Sequence, residues 1–102
     1  MQIANEVSGD LATLKLGGRF DFHSHRDFRS AYDKILDTNT VREIVIDFGE
    51  VDYLDSSALG MLLLLREKAD GASKRVVLAG LQGTVKQVLE IANFGKLFSI
   101  RA

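Results

Sequence analysis

Ile44-Val45-Ile46-Asp47-Phe48, a spacer from Gly49 to Leu54, and then Asp55-Ser56-Ser57-Ala58-Leu59-Gly60-Met61-Leu62-Leu63-Leu64-Leu65 form the stretch on which the reading of this chain turns. Four of the first five residues are apolar. A run so short and so apolar reads as a strand covered on both faces, hence central in a sheet. The spacer reads as a loop. Asp55 then stands where a helix N-cap is wanted, because its carboxylate can accept from a backbone N–H that the first turn leaves unpaired. Ser56 and Ser57 become the first helical residues. The helix is expected from about Ser56 to Ala69, with Gly71 at its C-terminal cap. Its leucines and Met61 occupy every face, more than the single stripe a helix buries against a sheet. Some of them should stay exposed near the serines and form a surface for a partner.

Working outward, Gln2 to Val7 and Leu11 to Leu16 are two short runs joined by Ser8-Gly9-Asp10, which suggests a β-hairpin. Ala12, Leu14 and Leu16 share one face of the second run. Ser24-x-x-Asp27 looks like a capping box, followed by Phe28, Ala31, Tyr32, Ile35 and Leu36 at helical spacing. Asp37 to Thr40 breaks that helix. Arg75 to Ala79 is a second buried strand. Thr84-x-x-Gln87 offers another capping box ahead of the stripe Val85, Val88, Leu89 and Ala92. Asn93 and Gly95 stop that helix, and Leu97 to Ile100 suits a short edge strand. Strands alternating with helices imply parallel pairing in the second half. The expected fold is α/β, over a single domain spanning 1–102.

Of 102 residues, 46% are apolar and 26% charged, the balance of a folded globular chain. Thirteen basic and fourteen acidic residues leave a net charge of −1, and the signs are mixed locally. No basic stripe exists to follow a phosphate backbone, so no nucleic-acid partner is expected. Without cysteine there is no disulfide, thiolate chemistry or cysteine-held zinc. Met1 to Glu6 lacks the features of a signal peptide, and no apolar run approaches the roughly 20 residues of a membrane span. A cytoplasmic location without membrane partners is expected.

Ser56 and Ser57 are the first candidates for chemistry. Two serines opening a helix are common, but an exposed hydroxyl beside free N–H groups is also a good place to add and remove a phosphate. Asp21, His23 and His25 flank the turn before the first helix. Solvated loop residues describe them better than a metal site, since no other ligand accompanies them. A Ser56–His23–Asp21 triad is conceivable from composition, yet no supporting motif is present. No catalytic, cofactor-binding or metal-ligating residue is assigned.

Asp55-Ser56-Ser57-Ala58-Leu59-Gly60 resembles the Asp-Ser-Ser/Thr-Gly/Ala-Leu-Gly motif of STAS domains, and of anti-sigma factor antagonists in particular. Gly18-Arg19-Phe20-Asp21 looks like the family's Gly-x-Leu-Asp. Ile44 to Phe48 matches its apolar strand, and Ile91 to Phe98 its late helix, with Lys96 intervening. The resemblance covers nearly the whole chain. It implies a STAS fold, a four- to five-stranded mixed sheet with three to four helices packed mainly on one side. It also implies a partner switch without enzymatic activity of its own. An anti-sigma factor that is a serine kinase would bind the unmodified chain and phosphorylate Ser56, and a serine phosphatase would reverse this. ATP and magnesium would belong to the kinase, so this chain needs no cofactor. Asp21, Phe22, His23, Asp55, Ser57, Ala58 and Met61 become the implied partner interface. Ala58 replaces a glycine common in the family, and Phe22 a more polar residue. The alternative within the same resemblance is a cytoplasmic STAS subunit of a lipid-transport ABC complex, bound to its ATPase. A small hydrolase using Ser56 is the reading from another class.

Overall fold

The computed structural model describes residues 1–101. Two antiparallel strands, β1 (Gln2–Ser8) and β2 (Leu11–Phe20), form the hairpin. A 3₁₀ turn, Phe22–Ser24, leads into α1 (His25–Leu36). Then follow β3 (Glu43–Leu54), α2 (Ser56–Gly71), β4 (Arg75–Ala79), α3 (Gly83–Ile91), a second 3₁₀ turn at Phe94–Lys96, and β5 (Ser99–Arg101). The five strands lie in sequence order, and β2 through β5 are mutually parallel. Parallel neighbours joined by helices need crossovers, and crossovers of this kind are right-handed. When the strand order never reverses, that hand sends each helix to the same face of the sheet.

The core follows from that placement. Ala12, Leu14, Leu16 and Phe20 of β2, Ile44, Ile46 and Phe48 of β3, and Val76 and Leu78 of β4 point at the helices. They meet Phe28, Tyr32 and Ile35 of α1, Leu62, Leu65 and Ala69 of α2, and Val85 and Leu89 of α3. Phe20 sits 4.9 Å from Phe28 and 6.3 Å from Phe48, ring centre to ring centre, and Phe28 stands edge-on to Tyr32. This aromatic cluster lies beneath the turns that carry the serines.

The expectation that Ile44 to Phe48 is covered by layers on both faces needs correction. Among the described residues, the second face carries no helix. Val45 and Val77 are nonetheless buried there. Glu43 on β3 accepts from Arg75 Nε on β4 at 3.0 Å and from Arg101 on β5 at 3.2 Å. To reach Glu43, Arg101 crosses β4, so the stems of long charged side chains shield the two valines. The bonds to Arg75 hold the Glu43 carboxyl below its ordinary value, with Arg101 adding to the effect.

Three further expectations are revised. Gly49 to Leu54 is not a loop: β3 continues through it, and register shifts near Gly17 and Gly18 let β2 keep pace. Gly18 accommodates one shift with a φ of 82°, a conformation glycine adopts without a Cβ penalty. Gly71 is the last helical residue of α2, and the left-handed position after the helix belongs to Ser73 at φ 59°. Neither Ser24 nor Gln82, the N-caps of α1 and α3, makes a side-chain cap bond, so neither proposed capping box forms.

Glu43→Gln removes the charge from the Glu43–Arg75–Arg101 network. Because the folded-state value is lowered, the stabilisation is present above the ordinary carboxyl range and is lost as pH falls through the folded-state value. At neutral pH the variant should melt roughly 2–5 °C lower, as for a partly exposed ion network. Thermal melts against pH should show that gap closing in acid.

Candidate functional site

The C-terminal ends of β2 and β3 rise together, since Arg19 pairs with Tyr53 and Phe20 with Leu54. Each strand then enters a helix through a tight turn. Asp55 joins the two turns. Its backbone N–H donates to the Phe20 carbonyl at 3.3 Å. One carboxylate oxygen accepts from the Ala58 N–H at 3.0 Å, the N-cap bond of α2. The other accepts from the Phe22 N–H at 3.3 Å, at the start of the neighbouring 3₁₀ turn. A single side chain therefore satisfies two orphan donors and fixes one turn against the other.

The neighbouring turn is built in the same way. Asp21 caps it by accepting from the His23 N–H at 3.0 Å, while the Asp21 N–H donates to Ser24 Oγ at 3.2 Å. Ser24 Oγ donates onward to the Arg19 carbonyl at 3.1 Å. The capping box is therefore Asp21-x-x-Ser24 and not Ser24-x-x-Asp27. Ser24, almost fully buried, has its hydroxyl committed and cannot cap α1. Arg19 lies 3.5 Å from the Asp21 carboxylate and 3.9 Å above the Tyr53 ring. The residue types at Arg19 and Tyr53 gave no sign of this pair, because the continuation of β3 through Gly49 to Leu54, expected as a loop, is what aligns them.

The predicted site residues separate into roles. Ser56 is the first residue of α2 and is exposed. Ser57 follows, half-buried. Neither N–H has an acceptor among the described residues, so both are open to an added oxyanion. Ala58 is fully buried and offers only its backbone N–H to Asp55. Met61 is 6% exposed and forms the floor of a shallow hollow, with Ser57, Gly60 and His25 around it and Phe22 and Leu64 at its rim. Phe22 is 69% exposed and stands edge-on to His23. Leu63 and Leu64 are also exposed, as the all-round leucine pattern of α2 required. Asp21 and His23 flank this apolar rim.

Metal and triad chemistry find no support in the geometry. Among the described residues no group of three His, Cys, Asp or Glu could hold an ion. The Asp21 carboxylate is engaged with backbone and with Arg19, and no hydrogen bond links Ser56 to His23. No helix of the described chain is long and apolar enough to cross a membrane.

With this geometry in view, the comparisons with known proteins are specific. A family model described as "Mlab, STAS domain" matches residues 3–100. The chain belongs to the STAS domain family. A STAS-domain containing protein of Pseudomonas aeruginosa (strain UCBPP-PA14) is 47% identical over 94 residues, covering 92% of this chain and 91% of that protein. The anti-sigma F factor antagonist of Lysinibacillus sphaericus is 21% identical over 89 residues, covering 87% of this chain and 76% of its own length. Among solved structures, the anti-sigma factor antagonist SpoIIAA superposes in its unphosphorylated form with a TM-score of 0.76 and 20% identity, over 99% of this chain and 88% of that one. Its phosphorylated form gives 0.75 at 20% identity, over 99% and 92%. The mixed five-stranded sheet with helices on one face is thus the SpoIIAA-like STAS fold.

Asp55→Ala removes both carboxylate bonds. Loss of an N-cap costs about 1–2 kcal/mol, so urea denaturation should show a midpoint lowered accordingly. Hydrogen exchange should rise at the Phe22 and Ala58 amides, the two donors that Asp55 satisfies.

Proposed function

We propose that this chain is an anti-sigma factor antagonist that switches partners through Ser56. In its unmodified form it binds an anti-sigma factor that is also a serine kinase. Phosphorylation of Ser56 releases it, and a serine phosphatase resets it. The observation that carries this reading is the placement of the exposed Ser56 hydroxyl on the first turn of α2, next in sequence to Ser57, which lines the hollow rimmed by Phe22 and Leu64. The anti-sigma factor antagonists among its relatives and its fold neighbours support it, as does the existence of SpoIIAA in a phosphorylated form.

Two physical points make Ser56 suited to the task. A phosphoryl group adds about −1.5 to −2 charges. On this chain it would meet water, the positive end of the α2 dipole and the unpaired N–H groups of Ser56 and Ser57, so the fold tolerates it. In a complex the same dianion would be stripped of water against an apolar contact, where an unpaired charge costs several kcal/mol. Asp21, Phe22, His23, Asp55, Ser57 and Met61 would form or support the contact surface, and Ala58 would serve through its backbone. ATP and magnesium come with the kinase, and the reaction takes place in the cytoplasm.

A second reading draws on the family description, which names Mlab and no sigma-factor regulator. In it the chain is a STAS subunit of a lipid-transport ABC complex, bound to the ATPase through the same surface, with Ser56 unmodified.

Intact-mass and fragmentation analysis of the protein from its own cells separates the two. The switch requires a phosphate on Ser56 in some growth condition, whereas an unmodified Ser56 with a co-purifying transport ATPase selects the second reading. Calorimetry against the kinase should give Ser56→Ala an affinity equal to wild type. Ser56→Asp should bind at least about tenfold more weakly, a difference of ~1.4 kcal/mol. Equal binding by Ser56→Asp would sink the switch.

A further inference from the structure

β1 is an edge strand of seven residues, and nearly all of it is exposed. Edges of this kind are usually blunted by proline, a bulge or inward charges. β1 has none of these: its register with β2 is unbroken and its single charged residue, Glu6, pairs with Lys15 on the open face at 3.8 Å. The hairpin fixes which backbone groups are free. Ser8 and Leu11 flank the two-residue turn, so they form a hydrogen-bonded pair. Counting back by two, Glu6, Ala4 and Gln2 also direct N–H and C=O toward β2. Ile3, Asn5 and Val7 therefore direct theirs outward, where no strand among the described residues receives them.

We propose that this edge, together with the adjoining face of α1, is a dimerisation surface on which a second copy of the chain pairs antiparallel about a two-fold axis at Asn5. In that register Asn5 faces Asn5 of the second copy and Ile3 faces Val7. These are the residues whose backbone groups are free, so the inter-chain ladder is complete and in phase. The side chains agree. Ile3, Asn5 and Val7 lie opposite Leu16, Leu14 and Ala12 and so share the helix face. The pairing covers Val7, which is 52% exposed, with Ile3. On the open face Glu6 falls opposite Ala4, so no like charges stand directly opposite, and the two Glu6 side chains are only diagonal neighbours.

The helix above the edge has the same self-complementarity. Asp27, Ser30, Ala31 and Lys34 of α1 line a hollow with Ile3 and Asn5. A two-fold axis normal to the sheet runs the second α1 antiparallel to the first. With α1 above β1 and β2, the two helices lie about two strand spacings apart, roughly 10 Å, which is a helix-packing distance. A crossing centred between Ser30 and Ala31 places these small residues against each other. It also sets Asp27 of each copy against Lys34 of the other, as an isologous interface requires. The result is one continuous sheet from two five-stranded halves, helices on one side. Ser56 follows β3 at the far end of the parallel strands, so the two serines fall at opposite ends of the dimer and stay accessible. The proposal is independent of the partner switch.

Sedimentation equilibrium of the purified full chain, run over a series of concentrations, tests it. Wild type should approach twice the chain mass as concentration rises. Asn5→Pro deletes an N–H that points away from β2, so the chain should keep its circular dichroism and remain at the chain mass. Asp27→Lys and Lys34→Asp should each weaken association by about tenfold or more, since each sets like charges face to face. Mixing those two variants should restore the doubled mass, because the heterodimer recovers both opposite-charge contacts. A wild type that stays at the chain mass at every concentration overturns the proposal. So does a dimer that none of the three variants weakens.

Discussion

Strand order is the constraint from which the rest descends. β2, β3, β4 and β5 are parallel and lie side by side in sequence order, so each connection must travel back over the sheet. A fixed hand for such connections sends α1, α2 and α3 to one face. That face takes the bulk of the apolar side chains, and the other is left to valines roofed by Glu43, Arg75 and Arg101. The same constraint brings the C-terminal ends of all four strands to one side of the domain. The turns entering α1 and α2 become neighbours there although Phe22 and Asp55 are 33 residues apart. A site made of two turns is available only because the strands that feed them are adjacent.

Asp55 converts that adjacency into a defined surface. An N-cap aspartate needs one carboxylate oxygen for its helix, and here the second oxygen takes the Phe22 N–H. Phe22 is thereby held out from the domain, where 69% of it stays exposed, while Phe20, two residues earlier, is completely buried. The alternation is abrupt, and it costs nothing in backbone satisfaction because Asp21, Ser24 and Asp55 accept or relay the bonds of the turn. Burial of Phe20 in the aromatic cluster below anchors the turn from the core side.

Much of this was legible in the residues. Period-two and helical stripes placed the core faces of β2, α1 and α3, and Asp55-Ser56-Ser57 marked the start of α2 with its cap. The misreadings share a cause. Ser24-x-x-Asp27 and Thr84-x-x-Gln87 have the right letters for capping boxes, but tertiary demands decide whether a side chain is free to cap. Ser24 is spent on the Arg19 carbonyl and the Asp21 N–H. Gly49 to Leu54 looked like a loop because glycine and acidic residues interrupt it. Pairing with β2, through bulges that place the extra residues on β3, keeps it extended, and Val51 and Leu54 still reach the core. The Asp55–Phe22 bond joins distant segments, and no local pattern reports it.

In the proposed switch, the arrangement around Ser56 would separate what the domain tolerates from what a partner tolerates. Within the chain, an added anion meets unpaired N–H groups at an exposed helix end, and Asp55 is already committed to its two donors, so the cap need not rearrange to admit it. At the hollow beside Ser57, Phe22 and Leu64 present surface whose burial is favourable only if it is dry. Under that proposal, a charge beside that surface would leave the fold intact and penalise only the wet-to-dry step of association. The two responses are uncoupled because they draw on different groups, backbone amides for one and apolar side chains for the other. In the proposed switch, a single serine at their boundary would therefore govern binding without being a stability switch.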